Sequence, residues 1–133
     1  MKKTLSLLMI VSVLVLLLQV VAFAESAVFE QYLLDVDCAS RAIVPDGDNF
    51  QTNPAKHTVA CLKKPSCVAS GYGVLIRNKK TGQYSFCKFD DKGNEIAKKL
   101  LEVTKKTDNM LIKVRGMMDK ETETIKVKSI VEK

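Results

Sequence analysis

Five side chains in the sequence are suited to metal or thiol chemistry: the single histidine, His57, and the four cysteines, Cys38, Cys61, Cys67 and Cys87. Three of them crowd into the stretch His57-Thr58-Val59-Ala60-Cys61-Leu62-Lys63-Lys64-Pro65-Ser66-Cys67. On a helix, His57 and Cys61 would stand one turn apart on the same face, a workable pair of metal ligands. Cys67 and Cys38 would then complete a tetrahedral Cys3His set suited to zinc or, because sulfur dominates, to a soft ion such as Cu(I). The spacing departs from the usual pairing of two cysteines by two to four residues, since five residues separate Cys61 from Cys67. The competing chemistry is oxidation. An even number of cysteines in a small exported chain makes disulfides the default, with all four thiols as candidates. A bridge from Cys38 to Cys61 or Cys67 would close a loop worth about 3 kcal/mol by the chain-entropy estimate.

Catalysis is less well supported. No Cys-x-x-Cys pair is present to supply a low-pKa redox thiol. Nothing in the sequence orients His57 as a base for a cysteine nucleophile, and acid-base and phosphate-loop signatures are lacking. The expectation is a protein that is not an enzyme, with thiol redox activity as the remaining alternative.

The oxidising context comes from the start of the chain. Lys2 and Lys3 precede an apolar run from Leu5 to Val21, which ends in Ala22-Phe23-Ala24 before Glu25. A positive start, an apolar centre and a small-x-small site describe a secretory signal peptide, residues 1–24, cleaved after Ala24. Removing those 24 of the 133 residues leaves 109, and losing Lys2 and Lys3 lowers the formal charge from +6 to +4. That length predicts one domain, residues 25–133, periplasmic or secreted, and monomeric. Membrane contact is expected only through an uncleaved signal segment. The lysines interleave with acids and no run of five like charges occurs, so a solvated basic surface is expected and nucleic acid is not an expected partner.

The elements that must position the thiols follow from periodicity. Tyr32-Leu33-Leu34-Asp35-Val36-Asp37 alternates as a first strand that stops near Cys38. From about residue 39 to 70 runs a long insert, polar and turn-rich over Ala42 to Asn53, with one short helical stretch over Ala55 to Lys63. Tyr72 to Arg77 and Gln83 to Phe89 form a hairpin around a polar turn. Asn94 offers an N-cap for an amphipathic helix over Glu95 to Lys105, with Ile96, Ala97, Leu100 and Leu101 on one face. Met110 to Met117 and Thr124 to Val131 form a second hairpin, with Ile112, Val114, Ile125 and Val127 inward. Without the insert the order is β-β-β-α-β-β. The predicted fold is therefore mainly β, an OB-like five-stranded antiparallel barrel or a curled sheet with one helix.

The stretches Leu34-Asp35-Val36-Asp37-Cys38, His57-Thr58-x-x-Cys61, Cys67-x-x-Ser70-Gly71-Tyr72-Gly73 and Phe89-Asp90-Asp91-Lys92-Gly93-Asn94 occur here in an order that resembles a group of small exported bacterial proteins of unknown function. The resemblance runs from about Tyr32 to Ile130 and implies export and an OB-like domain, with no activity to carry over. Cys38, His57, Cys61 and Cys67 match that pattern and Cys87 departs from it.

OB folds bind ligands on strands two and three and the adjoining loops. Here that face would present Tyr72, Tyr84, Phe86, Lys88 and Phe89 as an aromatic and basic platform for a small molecule, glycan or peptide. The competing reading makes Tyr84 and Phe86 core residues. A non-enzymatic binding or envelope-associated module, with no cofactor, is the leading functional expectation. A periplasmic metal-binding protein using zinc or copper comes second, and a thiol redox protein third.

Overall fold

A computed structural model describes residues 26–41 and 49–133. The expected signal peptide and residues 42–48 of the turn-rich stretch lie outside them. Among the described residues no helix is long and apolar enough to cross a membrane.

Five strands make up the sheet: β1 (Ala27–Asp35), β2 (Tyr72–Arg77), β3 (Tyr84–Phe89), β4 (Leu111–Asp119) and β5 (Thr124–Glu132). They lie in the order β1-β2-β3-β5-β4, and β4 returns to pair with β1, so the sheet closes on itself. Four of the pairings are antiparallel, as expected. The fifth corrects the expectation, because β3 and β5 run parallel through Lys88 with Thr124 and Phe89 with Ile125. The reason is topological: an odd number of strands in a ring cannot alternate direction all the way round, so at least one neighbouring pair must be parallel. That pair is extended by Lys88 N–H donating to Glu123 O and Asp90 N–H donating to Ile125 O.

On β4 and β5 the side chains pointing inside the sheet are those that alternation selects. Ile112, Val114, Ile125 and Val127 are buried together with Leu33, Val74 and Phe89. A helix between β3 and β4 covers one end of this core. It spans Asp91–Val103 and starts four residues before the predicted Glu95. Its N-cap is Asp90, not Asn94: the Asp90 carboxylate accepts the Gly93 N–H at 2.9 Å and also the Val127 N–H of β5 at 3.1 Å. Asn94 instead braces β2, its side-chain oxygen accepting the Tyr72 N–H at 2.7 Å. Gly93, Ala97 and Leu101, four residues apart, form the buried stripe.

The insert is more helical than the sequence suggests. In chain order, the helical elements are α1 (Val36–Ala39), a 3-10 turn (Pro54–Lys56), α2 (Val59–Leu62), α3 (Pro65–Ser70) and the long helix, α4 (Asp91–Val103). The predicted single stretch from Ala55 to Lys63 is broken at His57 and Thr58. His57 is extended, and the Thr58 side chain caps α2 by accepting the Cys61 N–H. His57 and Cys61 therefore do not share a helical face.

Adjacent strand residues point to opposite faces of a sheet, yet Leu33 and Leu34 are 1% and 0% exposed. Both faces of β1 are covered at this end. Leu33 enters the main core, and Leu34 belongs to a second, smaller core with Cys38, Ala39, Phe50, Cys67 and Leu75 beneath the insert. This second core fastens α1 and α3 to the outside of the sheet, while Val59 and Leu62 of α2 pack into the main core.

Candidate functional site

Each of the three insert cysteines is the third residue of its own helical turn: Cys38 in α1, Cys61 in α2 and Cys67 in α3. The turns begin where the local chemistry dictates. Asp35 ends β1 and caps α1, its Oδ1 accepting the Cys38 N–H at 2.9 Å. Thr58 Oγ1 accepts the Cys61 N–H at 3.1 Å. These are N-caps that satisfy otherwise orphaned helix donors, and each fixes the backbone of the cysteine itself. The turn α3 has Pro65 in its first positions and ends at Gly71, whose φ of 85° suits glycine and few other residues.

The result is a cluster of three sulfurs. The Sγ atoms of Cys38, Cys61 and Cys67 lie within 4.8 Å of one another, and Cys38 and Cys61 are 3.8 Å apart. All four cysteines are free thiols. No two of them stand at disulfide distance, the Cys38 and Cys61 sulfurs being 3.8 Å apart against about 2.05 Å for an S–S bond. Cys87 stands apart from the cluster, buried in the main core. The sulfurs open into a cleft of about 390 Å³ at whose walls Arg41, Lys56 and Lys64 also stand. Cys61 is the half-exposed member, whereas Cys38 and Cys67 are buried.

His57 does not join the three sulfurs in one four-ligand group. It lies behind Cys38, where its Nε2 is 3.1 Å from Asp35 Oδ2. The two side chains are 1% and 0% exposed. Their contact is not an aligned hydrogen bond: Asp35 Oδ2 and both His57 ring nitrogens are buried without a hydrogen-bond partner. Phe50 meets the imidazole edge to face, with ring centroids 4.4 Å apart. Asp35, Cys38 and His57 thus form a second trio of potential ligands that shares Cys38 with the first.

Burial and neighbouring charge favour the protonated thiol at Cys38 and Cys67. Burial, followed by the charges of Asp35 and Cys61, pushes the Cys38 thiol far above its ordinary 9.0. The same causes in the same order push Cys67 up to about 11. Burial also works to raise Asp35. The His57 contact and the Cys38 N–H outweigh it and leave the carboxyl below its ordinary 3.8. Cys87 is raised as well, chiefly by burial.

The aromatic platform is not assembled. Tyr72 is enclosed in the core, with its hydroxyl donating to Leu62 O at 2.8 Å, and Phe89 is buried beside it in the same core. Tyr84 is 49% exposed, contrary to the core alternative, Lys88 is exposed and Phe86 packs partly against the smaller core. Asp35 and Phe50 are the site residues that periodicity misses. Asp35 sits in a strand whose alternation points it outward. The signal that reveals it is the spacing Asp35-x-x-Cys38, repeated as Thr58-x-x-Cys61, an N-cap followed by a cysteine three residues later.

Compared with family models, with curated proteins and with solved structures, the chain gives no match.

Proposed function

We propose that this chain is an exported, OB-like binding module whose insert takes up a soft metal ion between Cys38, Cys61 and Cys67. The observation that carries the reading is the 3.8 Å between the Cys38 and Cys61 sulfurs. An ion held at about 2.3 Å from each thiolate in tetrahedral geometry separates neighbouring sulfurs by about 3.8 Å, and trigonal geometry widens this only slightly. The capped turns α1 and α2 hold the Cys38 and Cys61 sulfurs at this spacing, Cys67 brings its sulfur within 4.8 Å of both, and the cleft gives an ion access to the half-exposed Cys61. A coordinated thiol is deprotonated outright, so an ion would offset the burial and the neighbouring charges that raise Cys38 and Cys67. Zinc and Cu(I) are the ions that such a donor set favours.

The OB-like part of the reading is supported by the strand order, by the helix between β3 and β4, and by the position of the insert between β1 and β2, where OB barrels place a binding loop. Export rests on the signal-peptide pattern, and the monomeric, non-enzymatic expectation goes with it. A glycan or peptide platform loses support because two of its aromatic members are core residues.

The test is titration of the reduced, metal-free protein with Zn(II), Cd(II) and Cu(I), followed by sulfur-to-metal charge-transfer absorption and elemental analysis after desalting. The expected result is a retained ion that Cys38→Ser, Cys61→Ser or Cys67→Ser releases and Cys87→Ser does not. Failure to retain any ion, or equal sensitivity to Cys87→Ser, refutes the reading. Mass spectrometry with and without reduction covers the competitor, since a Cys38–Cys61 disulfide in the isolated protein would consume two of the three ligands.

A further inference from the structure

Asp35 and His57 are buried, face each other at 3.1 Å, and are left without hydrogen-bond partners at Asp35 Oδ2 and at both ring nitrogens. Asp35 Oδ2 and His57 Nε2 face each other as a buried pair, whereas Nδ1 has no partner at all, and a buried polar atom without one carries a desolvation cost and asks for an explanation. We infer that the insert holds a second ion, bound by Asp35, His57 and Cys38, so that the Cys38 sulfur bridges a two-ion centre. This inference rests on the three-sulfur site being a metal site.

The geometry supports it in three ways. First, an ion at about 2.0–2.1 Å from an imidazole nitrogen and a carboxylate oxygen in tetrahedral geometry separates them by about 3.3 Å, close to the 3.1 Å between His57 Nε2 and Asp35 Oδ2. Second, one ligand atom from each of Asp35, Cys38 and His57 falls within 4.8 Å of the others, and the three-sulfur group obeys the same limit. Cys38 belongs to both groups, and a thiolate sulfur has lone pairs enough for two ions. Third, the ligands are already held. The Cys38 N–H occupies Asp35 Oδ1, which turns Oδ2 toward His57, and Phe50 meets the imidazole ring edge to face. Orienting contacts of this kind are what metal ligands require from their surroundings.

The donor set identifies the class of ion. One carboxylate, one imidazole and one thiolate suit a borderline divalent ion such as Zn(II), whereas Cu(I) prefers sulfur. The second site is therefore a divalent-ion site whatever the three-sulfur site prefers.

The reduced, metal-free protein is titrated with ¹¹³Cd(II) as the probe and examined by NMR and elemental analysis. The expected result is two ions per chain and two resonances, one from an all-sulfur environment and one from mixed sulfur, nitrogen and oxygen. The mixed resonance should couple to imidazole ¹⁵N, and since His57 is the only histidine the assignment is unambiguous. Asp35→Asn and His57→Gln should each lower the stoichiometry from two to one and keep the charge-transfer absorption of the sulfur site. Cys67→Ser should weaken the all-sulfur resonance and spare the mixed one. If either buried variant fails to fold, as circular dichroism will show, the ¹⁵N coupling in the unaltered protein decides. One ion per chain with no imidazole coupling overturns the second site while leaving the three-sulfur reading intact. One ion coordinated by His57 together with all three sulfurs overturns the two-ion centre in favour of a single Cys3His site. No ion at all overturns the three-sulfur reading and this inference with it.

Discussion

Replacing Gly93 by alanine tests the packing that brings α4 onto the sheet. On helix propensity alone the change is favourable, because alanine in a helix is about 1 kcal/mol better than glycine. Space argues the other way. A Cβ at position 93 would lie 2.5 Å from Val127 Cγ2 and 2.7 Å from Phe89 Cβ, where carbon contacts normally relax to about 3.5–4.0 Å. Neither neighbour is the free end of a flexible side chain. The obvious relief, lifting the helix by about 1 Å, is opposed by the Asp90 carboxylate, which accepts both the Gly93 N–H of the helix and the Val127 N–H of the strand. Overpacking of a filled core costs about 1–3 kcal/mol, and stretching a charged hydrogen bond adds to that. With the propensity gain subtracted, Gly93→Ala should destabilise the protein by about 2 kcal/mol. For a domain of this size that is a fall in Tm of about 8–16 °C. Urea and thermal unfolding of the reduced protein, followed by circular dichroism, measure it. Adding Val127→Ala should recover much of the loss, with a coupling of about 1 kcal/mol or more in the double-mutant cycle. A Gly93→Ala protein as stable as the parent, or more stable, refutes the claim that glycine is there for space.

Two further predictions concern groups whose surroundings set their reactivity. Burial pushes the Tyr72 phenol up to about 12 from an ordinary 10.0, with smaller contributions from Asp35 and Cys67. Tyr72 should therefore ionise well above pH 10 in a spectrophotometric titration. A raised folded-state pKa contributes stability that is intact below pH 10 and lost as pH rises toward 12, and Tyr72→Phe should flatten that decline; an unchanged alkaline slope in the variant argues against it. Alkylation of the metal-free, reduced protein with iodoacetamide should modify half-exposed Cys61 first and leave buried Cys87 for last or for unfolding. Peptide mapping over time checks the order, and early labelling of Cys87 contradicts its place in the core.

Periodicity was informative wherever one face of an element meets the core and the other meets water. That is why β2 to β5 and the apolar stripe of α4 were legible. It failed where that condition fails. Leu33, Leu34 and Asp35 are all buried because the sheet packs on one side of β1 and the insert on the other, and alternation carries no information about a strand covered on both faces. Composition misplaces the start of α4 for a related reason. Gly93 and Asn94 have the composition of a breaker, yet Gly93 serves close packing and Asn94 serves β2, and both roles depend on residues more than 20 positions away in the chain.

The candidate site shows the same division between local and distant causes. Identifying the three thiols required only their residue types, but bringing them together required the fold. Consecutive metal ligands can be read from sequence when they share one loop, because their spacing is then the geometry. Here each insert cysteine has its own helical turn, so the separations Cys38 to Cys61 and Cys61 to Cys67 reflect the length of chain between scaffolds and not the distance between sulfurs. What is local is the cap. Asp35 and Thr58 each hold the cysteine three residues on by its backbone N–H, and Asp35 spends only one carboxylate oxygen in doing so. The oxygen left over faces His57, a residue 22 positions away that follows the 3-10 turn packed against β1. The pairing that defines the second trio is therefore a product of the strand's end and the insert's path, which is why a reading by spacing assigned His57 to Cys61 when the folded chain gives it to Asp35.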